Sequence, residues 1–308
     1  MIMRERPDKP GIAPLDPVLA ALYAEPFIIR EPSARAVPFI FASPHSGRLY
    51  PQAFLNQSQL SPMTLRRSED AYADELFADV VQLGAPMIAA RFPRAYVDPN
   101  RAPGELDKTM FHGQITLPLE PAGARVNAGL GVIPRIVRDG AEIYSGKITA
   151  GEAAERLSRL HARYHAALSS LVQETRARFG AAVVIDCHSM PSAAGTPNIV
   201  LGDRYGTAAS PILLRKAEEA FQSRGFAVGR NVPYAGGYTT QLYGEPIKGM
   251  HALQIEVNRS LYLDEDRIEL AAAFPDIRRR LLSALAELVT IDVEALRPSQ
   301  RGMRLAAE

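Results

Sequence analysis

The chain has one cysteine, Cys187, in 308 residues. No internal disulfide can form, and a lone thiol fits a reducing compartment, so the cytoplasm is the expected location. Long apolar runs are missing too: none reaches the about 18 residues that a bilayer span takes, and MIMRERPDKPG lacks the apolar core of a secretory signal. The expectation is a soluble, unexported protein. Nor is there an excess of either charge: 35 basic residues stand against 34 acidic ones, which leaves no electrostatic footprint for nucleic acid or an anionic membrane. The run Arg278-Arg279-Arg280 reads as a solvated helix face. Internal repeats and low-complexity linkers are absent as well. What remains is an ordinary globular composition on a chain long enough to bury a substantial core. The partners it points to are small molecules, and the sequence leaves monomer and homo-oligomer equally open.

Residues 1–35 are rich in proline and charge and read as an N-terminal arm, packed on the body or partly loose. From residue 36 to 308 we expect a single α/β domain. Strand-like runs AVPFIFAS (36–43), PMIAARF (86–92), AAVVIDCH (181–188), NIVLGDR (198–204) and HALQIEVN (251–258) alternate with helical patterns. Such alternation implies crossovers and a parallel or mixed sheet. One helix is expected over RRSEDAYADELFADVVQLG, with Leu76, Val80 and Leu83 on one stripe and a stop at Gly84. A longer one is expected from Thr149, which opens a Thr149-x-x-Glu152 capping box, to Phe179 before Gly180. Two more carry Pro211 and Pro275 near their starts. Residues 93–146 lack periodicity and are expected to wrap the site.

The run AAVVIDCHSMPS poses the functional question, because a buried strand that ends in Asp186-Cys187-His188-Ser189 places polar groups where burial costs free energy. In α/β sheets ligands sit beyond the carboxyl ends of strands. The first strand ends in the same way, with His45. Two neutral imidazoles meeting in a cleft suit zinc, whose third protein ligand is often a carboxylate. Glu69 and Asp70 are the candidates, although either also suits the first turn of a helix. In HALQIEVNRS, Gln254 and Glu256 face away from Leu253 and Ile255. Glu256 is therefore a candidate proton acceptor, with an ion pair to Arg259 or another arginine as the alternative. Arg91, Arg94 and Arg101 could grip a substrate carboxylate or pair with Asp98 or Glu105. Gly236-Gly237 allows a mobile flap or a rigid hairpin.

Other signatures fail. No G-x-S-x-G elbow supports Ser46 or Ser189 as a nucleophile. GAEIYSGK has one residue too many for a Walker A loop. His161 and His165 lack the acid of H-E-x-x-H and read as a helix-surface pair. Cys187 reads as a small buried apolar residue rather than a thiol nucleophile.

Seven stretches in order resemble the N-formylglutamate amidohydrolase family over about residues 36–265: PHSGRLYP, RSEDAYADELF, PRAYVDPNR, GVIPRI, IDCHSMPS, YAGGYTTQLYG and GMHALQIEVNR. The resemblance implies a three-layer α/β/α sandwich on a central mixed sheet, similar to the zinc carboxypeptidases and aspartoacylase-like deacylases. It implies Zn2+, or another divalent metal, on His45, Asp70 and His188, with Glu69 as the alternative acid, and Glu256 as the catalytic carboxylate. Asn100-Arg101 resembles the pair that grips a substrate carboxylate in those relatives. Arg94, Arg135, Gly237 and Tyr238 are expected to share in substrate binding. The chain departs from carboxypeptidases, which read H-x-x-E where this one has His45-Ser46-Gly47-Arg48. It also departs from the histidine-degradation members, which tend to read Thr-Asp-Trp where this one has Glu69-Asp70-Ala71.

The implied activity is metal-dependent hydrolysis of N-formyl-L-glutamate to formate and L-glutamate. Three other readings remain: a deacylase of another N-acyl amino acid or a carboxypeptidase on the same scaffold, a non-catalytic ligand-binding module, and a cysteine hydrolase built on Cys187.

Overall fold

The computed structural model describes residues 16–298 except 117, 122, 138 and 139, so residues 1–15 of the expected arm lie outside the described residues. Seven strands build its central sheet: β1 (Phe27–Arg30), β2 (Phe39–Ser43), β3 (Met87–Ala90), β4 (Ala182–Met190), β5 (Ile199–Gly202), β6 (Val228–Arg230) and β7 (Met250–Asn258). Their order is β1-β3-β2-β4-β7-β5-β6. The four inner strands β3, β2, β4 and β7 run parallel, whereas β1 and β5 join them antiparallel. All five runs expected to be strands are strands. They are buried along nearly their whole length because helices cover both faces. The two strands of the central sheet that the sequence reading missed, β1 and β6, lie at its edges, where half-exposed residues give a weak pattern.

Alternation along the strands sorts side chains into two cores. Phe39 and Phe41 of β2, Val183, Ile185 and Cys187 of β4, and Leu253, Ile255 and Val257 of β7 face a layer that contains helices Pro211–Gln222 and Phe274–Leu288. Ile40, Ala42, Ala182, Val184 and Ala252 face the other way, onto Tyr164, Leu168 and Leu171 of helix Ala162–Phe179. The result is the expected three-layer sandwich on a mixed sheet. No helix among the described residues is long and apolar enough to cross a membrane.

The long helix begins as expected. Thr149 Oγ1 accepts a hydrogen bond from the Glu152 N–H at 3.0 Å, and Gly180, at φ +79°, ends the helix. Between Ala150–Arg156 and Ala162–Phe179, however, it widens into a π-helical turn at Leu157–His161. The expected helix over residues 66–84 is replaced by a broken path. Helix Pro62–Arg66 ends, the chain turns through Asp70 and Tyr72 (φ +61°), and only Ala73–Leu76 is α-helical before a 3-10 stretch Ala78–Leu83. The cause is tertiary. Asp70 donates its N–H to the His45 carbonyl at 3.0 Å, and its carboxylate is held by the His188 and Arg259 side chains, which outweigh local helix preference.

Candidate active site and metal centre

Alternation within β4 puts Asp186 and His188 on the face opposite Cys187. The parallel register sets Asp186 beside Gln254 and His188 beside Glu256 on β7. His45 arrives from just beyond the carboxyl end of β2. A cavity of about 390 Å³ opens at these strand ends and is lined by all three of His45, His188 and Glu256.

His45 Nδ1 lies 3.3 Å and His188 Nδ1 2.8 Å from the same Asp70 oxygen, Oδ2. One donor atom from each of the three side chains falls within 4.8 Å of the others, and all three residues are buried. His45 Nδ1 is buried without a hydrogen-bond partner. The remote ring nitrogens are differently placed. His45 Nε2 meets Asp98 Oδ1 at 2.7 Å, and His188 Nε2 lies 2.9 Å from Asp186 Oδ2. When the remote N–H donates to a carboxylate, the near nitrogen presents its lone pair to the common point, as in carboxylate-histidine-metal arrangements. Two imidazoles and one carboxylate therefore fit a divalent cation, and this donor set is one that zinc favours.

The charges around this point act on one another. Burial works against a charged His188, but Asp186 and Asp70 hold its pKa well above the imidazole range. Burial likewise opposes ionised Asp70 and Asp98, yet His188 and His45 hold Asp70 well below the carboxylate range, and His45 and Arg94 do the same for Asp98. Glu256 behaves in the opposite way. Burial, with the charge of Asp70 added, pushes its pKa up to about 7, although His188 pulls it down. Its Oε1 accepts a hydrogen bond from Gln254 at 2.9 Å. Arg259, the ion-pair partner considered for Glu256, instead donates to Asp70 Oδ1 at 2.9 Å and Ser189 Oγ at 3.1 Å.

The model of the N-formylglutamate amidohydrolase family matches residues 37–263. This chain belongs to that family. It is similar to the N-formylglutamate deformylase of Pseudomonas putida, at 27% identity over 267 residues that cover 81% of this chain and 92% of the relative. It is also similar to the solved N-formylglutamate amidohydrolase from Ralstonia eutropha JMP134, with 34% identity, a TM-score of 0.80 and coverage of 88% of this chain and 98% of that one. The solved gene product Atu2144 from Agrobacterium tumefaciens shares the fold, with a TM-score of 0.63 at 18% identity over 94% of this chain and 98% of that one.

In this member of the N-formylglutamate amidohydrolase family, the remaining residues singled out from sequence fall into two groups. Asn100, Arg94, Arg101 and Gly237 line the cavity. Asn100 Nδ2 donates to Asp186 Oδ2 at 3.2 Å, and its Oδ1 accepts from the Thr239 N–H at 2.8 Å, so the amide is oriented from both ends. A Cβ on Gly237 would stand 2.5 Å from that amide, so the loop can approach Asn100 only as glycine. Arg94 donates to Asp98 Oδ2 at 3.0 Å, and Arg101 Nε donates to the Leu130 carbonyl at 3.2 Å.

The second group points elsewhere. Glu69, the alternative metal ligand, accepts from Tyr50 Oη at 2.8 Å and from Arg66 Nε at 3.2 Å, outside the His45-Asp70-His188 group. Arg135 pairs with Glu142 at 2.8 Å and Asp107 at 3.4 Å and does not line the cavity. Arg91 donates to the Glu25 carbonyl at 3.0 Å. The Tyr238 ring packs on His161 and His165 rather than lining the cavity. Cys187 lies in the opposite core, where burial pushes its thiol well above the usual range, so the β4 backbone separates it from His188.

The reading of His161 and His165 as a helix-surface pair is overturned, because both are buried. His165 Nε2 donates to the Pro99 carbonyl at 2.7 Å and His161 Nε2 to that of Arg101 at 2.9 Å, so the two rings brace the loop on either side of Asn100. The i, i+4 spacing identified them as neighbours but could not say which face of the helix was covered. Asp98 as the partner of His45 was also missed. The sequence offered it only to the arginines beside it.

Proposed function

We propose that this protein hydrolyses the formyl amide of N-formyl-L-glutamate to formate and L-glutamate, with His45, Asp70 and His188 holding a divalent metal, zinc by the character of its ligands. The observation that carries the reading is the buried, unpartnered His45 Nδ1, which converges with His188 Nδ1 on Asp70 one strand away from Glu256. A metal so held supplies Lewis-acid polarisation of the formyl carbonyl and acidifies water.

The side chains of the chain do the rest. Glu256, with a pKa of about 7, is poised to take a proton from the attacking water and to return it to the departing amine nitrogen. Gln254 fixes Oε1 of Glu256 and leaves the other oxygen for that transfer. Asp98 and Asp186 keep the remote N–H groups of the two imidazoles in place. Arg101 and Arg94, which line the cavity beside Asn100, bind the α-carboxylate next to the scissile nitrogen. The lone thiol fits a cytoplasmic setting.

The test is formate release from N-formyl-L-glutamate by purified protein, measured before chelation, after it, and after zinc is restored, with Glu256→Gln in parallel. Release should vanish with chelation and return with zinc. Glu256→Gln should retain metal and lose about 10²- to 10⁴-fold in turnover. No release from folded, zinc-loaded protein would overturn the deformylase reading, and faster release from acetyl or succinyl amino acids would reassign the acyl group.

A further inference from the structure

The cavity is rich in arginine. Arg67, Arg94, Arg101, Arg125 and Arg259 line it against Asp70, Asp98 and Glu256. Two of these guanidinium groups are answered in place, Arg259 by Asp70 and Arg94 by Asp98. Arg101 gives its Nε to a neutral carbonyl and stands 3.9 Å from an Asp98 oxygen that Arg94 already engages. Arg125 is exposed, and among the described residues its side chain has neither a hydrogen bond nor an ion pair. Arg67 is exposed too, but it also lines a neighbouring pocket that contains Glu265 and Asp266, so its charge has acidic company.

Arg125 is nevertheless held in place. It sits on the short helix Ala124–Asn127, whose Val126 is buried. The Leu130 N–H donates to the Arg125 carbonyl at 2.8 Å, and the Leu130 carbonyl accepts from Arg101 Nε. One residue thus ties the Arg125 turn to the Arg101 side chain. The two guanidinium groups repel: burial lowers the pKa of Arg101, Asp98 opposes this, and Arg125 and Arg94 lower it further. A wall carrying an unanswered cation next to a strained one is stabilised by an anion.

Substrate chemistry decides which anion. The α-carboxylate is borne by the carbon attached to the scissile nitrogen, so it must lie deep, where Asn100 adjoins His188 and the neighbouring Arg101 lines the same cavity. The side-chain carboxylate of a glutamate is two methylenes farther out, toward the mouth, where Arg125 is exposed. We propose that Arg125 binds the side-chain carboxylate of the substrate and thereby selects acidic over neutral N-acyl amino acids. The proposal rests on the deformylase reading for its reaction but not for its binding chemistry, since a guanidinium fork recognises carboxylates in product and substrate alike.

The experiment therefore has two arms on the full-length protein. One compares kcat/KM for N-formyl-L-glutamate and N-formyl-L-glutamine. The other compares Kd for L-glutamate and L-glutamine by calorimetry, on zinc-loaded and metal-free protein. Wild type should favour the acidic ligand by roughly 10- to 100-fold in both arms, the worth of a charged hydrogen-bonded contact. Arg125→Gln should bring both ratios to within about threefold, through KM rather than kcat, and Arg125→Lys, which keeps the charge without the fork, should fall between. A wild type without preference, a preference that survives Arg125→Gln, or equal losses on both ligands would overturn the assignment. Should neither formyl compound be cleaved, the glutamate-to-glutamine ratio still decides: a ratio that collapses in Arg125→Gln supports the subsite and removes the deformylase reading alone.

Discussion

Two histidine pairs serve the same site, one lining the cavity and the other bracing the loop that carries Asn100. His45 and His188 meet with ring centroids 4.7 Å apart, and His161 and His165 lie 4.6 Å apart. All four are buried, yet their electrostatics run in opposite directions. Asp186 and Asp70 raise His188 far above the ordinary range, whereas burial lowers His161 and, with the charge of His161 added, lowers His165 to about 3. Spacing and burial are the same, and the difference lies in the partners. Carboxylates face the first pair, and carbonyls and a tyrosine hydroxyl face the second. A buried imidazole is a ligand candidate when its remote nitrogen has an acid and its near nitrogen converges with other donor atoms on one point. Without those it is a neutral brace.

Breaking the first pair should have the largest effect. His188→Ala removes one donor and leaves Asp70 and Asp186 without the imidazole between them. Bound zinc per chain, measured by elemental analysis after dialysis, should fall to background, and formate release should fall with it. Retention of stoichiometric zinc would show that the two histidine pairs do not differ in the way their partners indicate.

A milder perturbation keeps the ligands and alters what orients them. Asp98→Asn leaves His45 in place but weakens the acceptor at its Nε2, and zinc affinity measured against a competing chelator should drop about 10- to 100-fold. The corresponding change at the second pair, His165→Leu, should leave zinc stoichiometry intact and raise KM for N-formyl-L-glutamate several-fold, because the Pro99 carbonyl loses its donor and Asn100 its brace.

The smallest effect is in stability. His165 stays neutral in the folded state down to about pH 3, whereas the unfolded chain takes up its proton near 6.5, the ordinary imidazole value. In that window the unfolded state binds more protons, so stability falls as pH falls, by up to about 1.4 kcal/mol per pH unit for this one site. His165→Leu should flatten that slope in urea midpoints measured between pH 6.5 and pH 4.

The same contrast marks what could be read from the sequence. The inner strands were legible because continuous apolar runs with polar ends have few alternatives in an α/β chain. His45, His188 and Glu256 were visible for the same reason: each interrupts or ends such a run. Three features were hidden, and each depends on a partner distant in sequence. The turn at Asp70 exists because of His45 and Arg259. Asp98 takes His45 as well as the arginines beside it. The burial of His161 and His165 comes from the loop at Pro99 and Arg101. Local pattern reports which face a residue prefers, and only tertiary structure reports what meets it there.

Cys187 has a practical consequence of its own. It lies in the middle of the central strand, between Asp186 and His188 but on the other side of the sheet, with no exposed surface. A thiol reagent can reach it only when that strand opens, so its alkylation works as a clock for the opening of the core. Because the chain has no second cysteine, the label is unambiguous without any substitution. A metal bound across the strand ends should slow this clock by mass action, turning the one sulfur in the sheet into a reporter of the site on its far face.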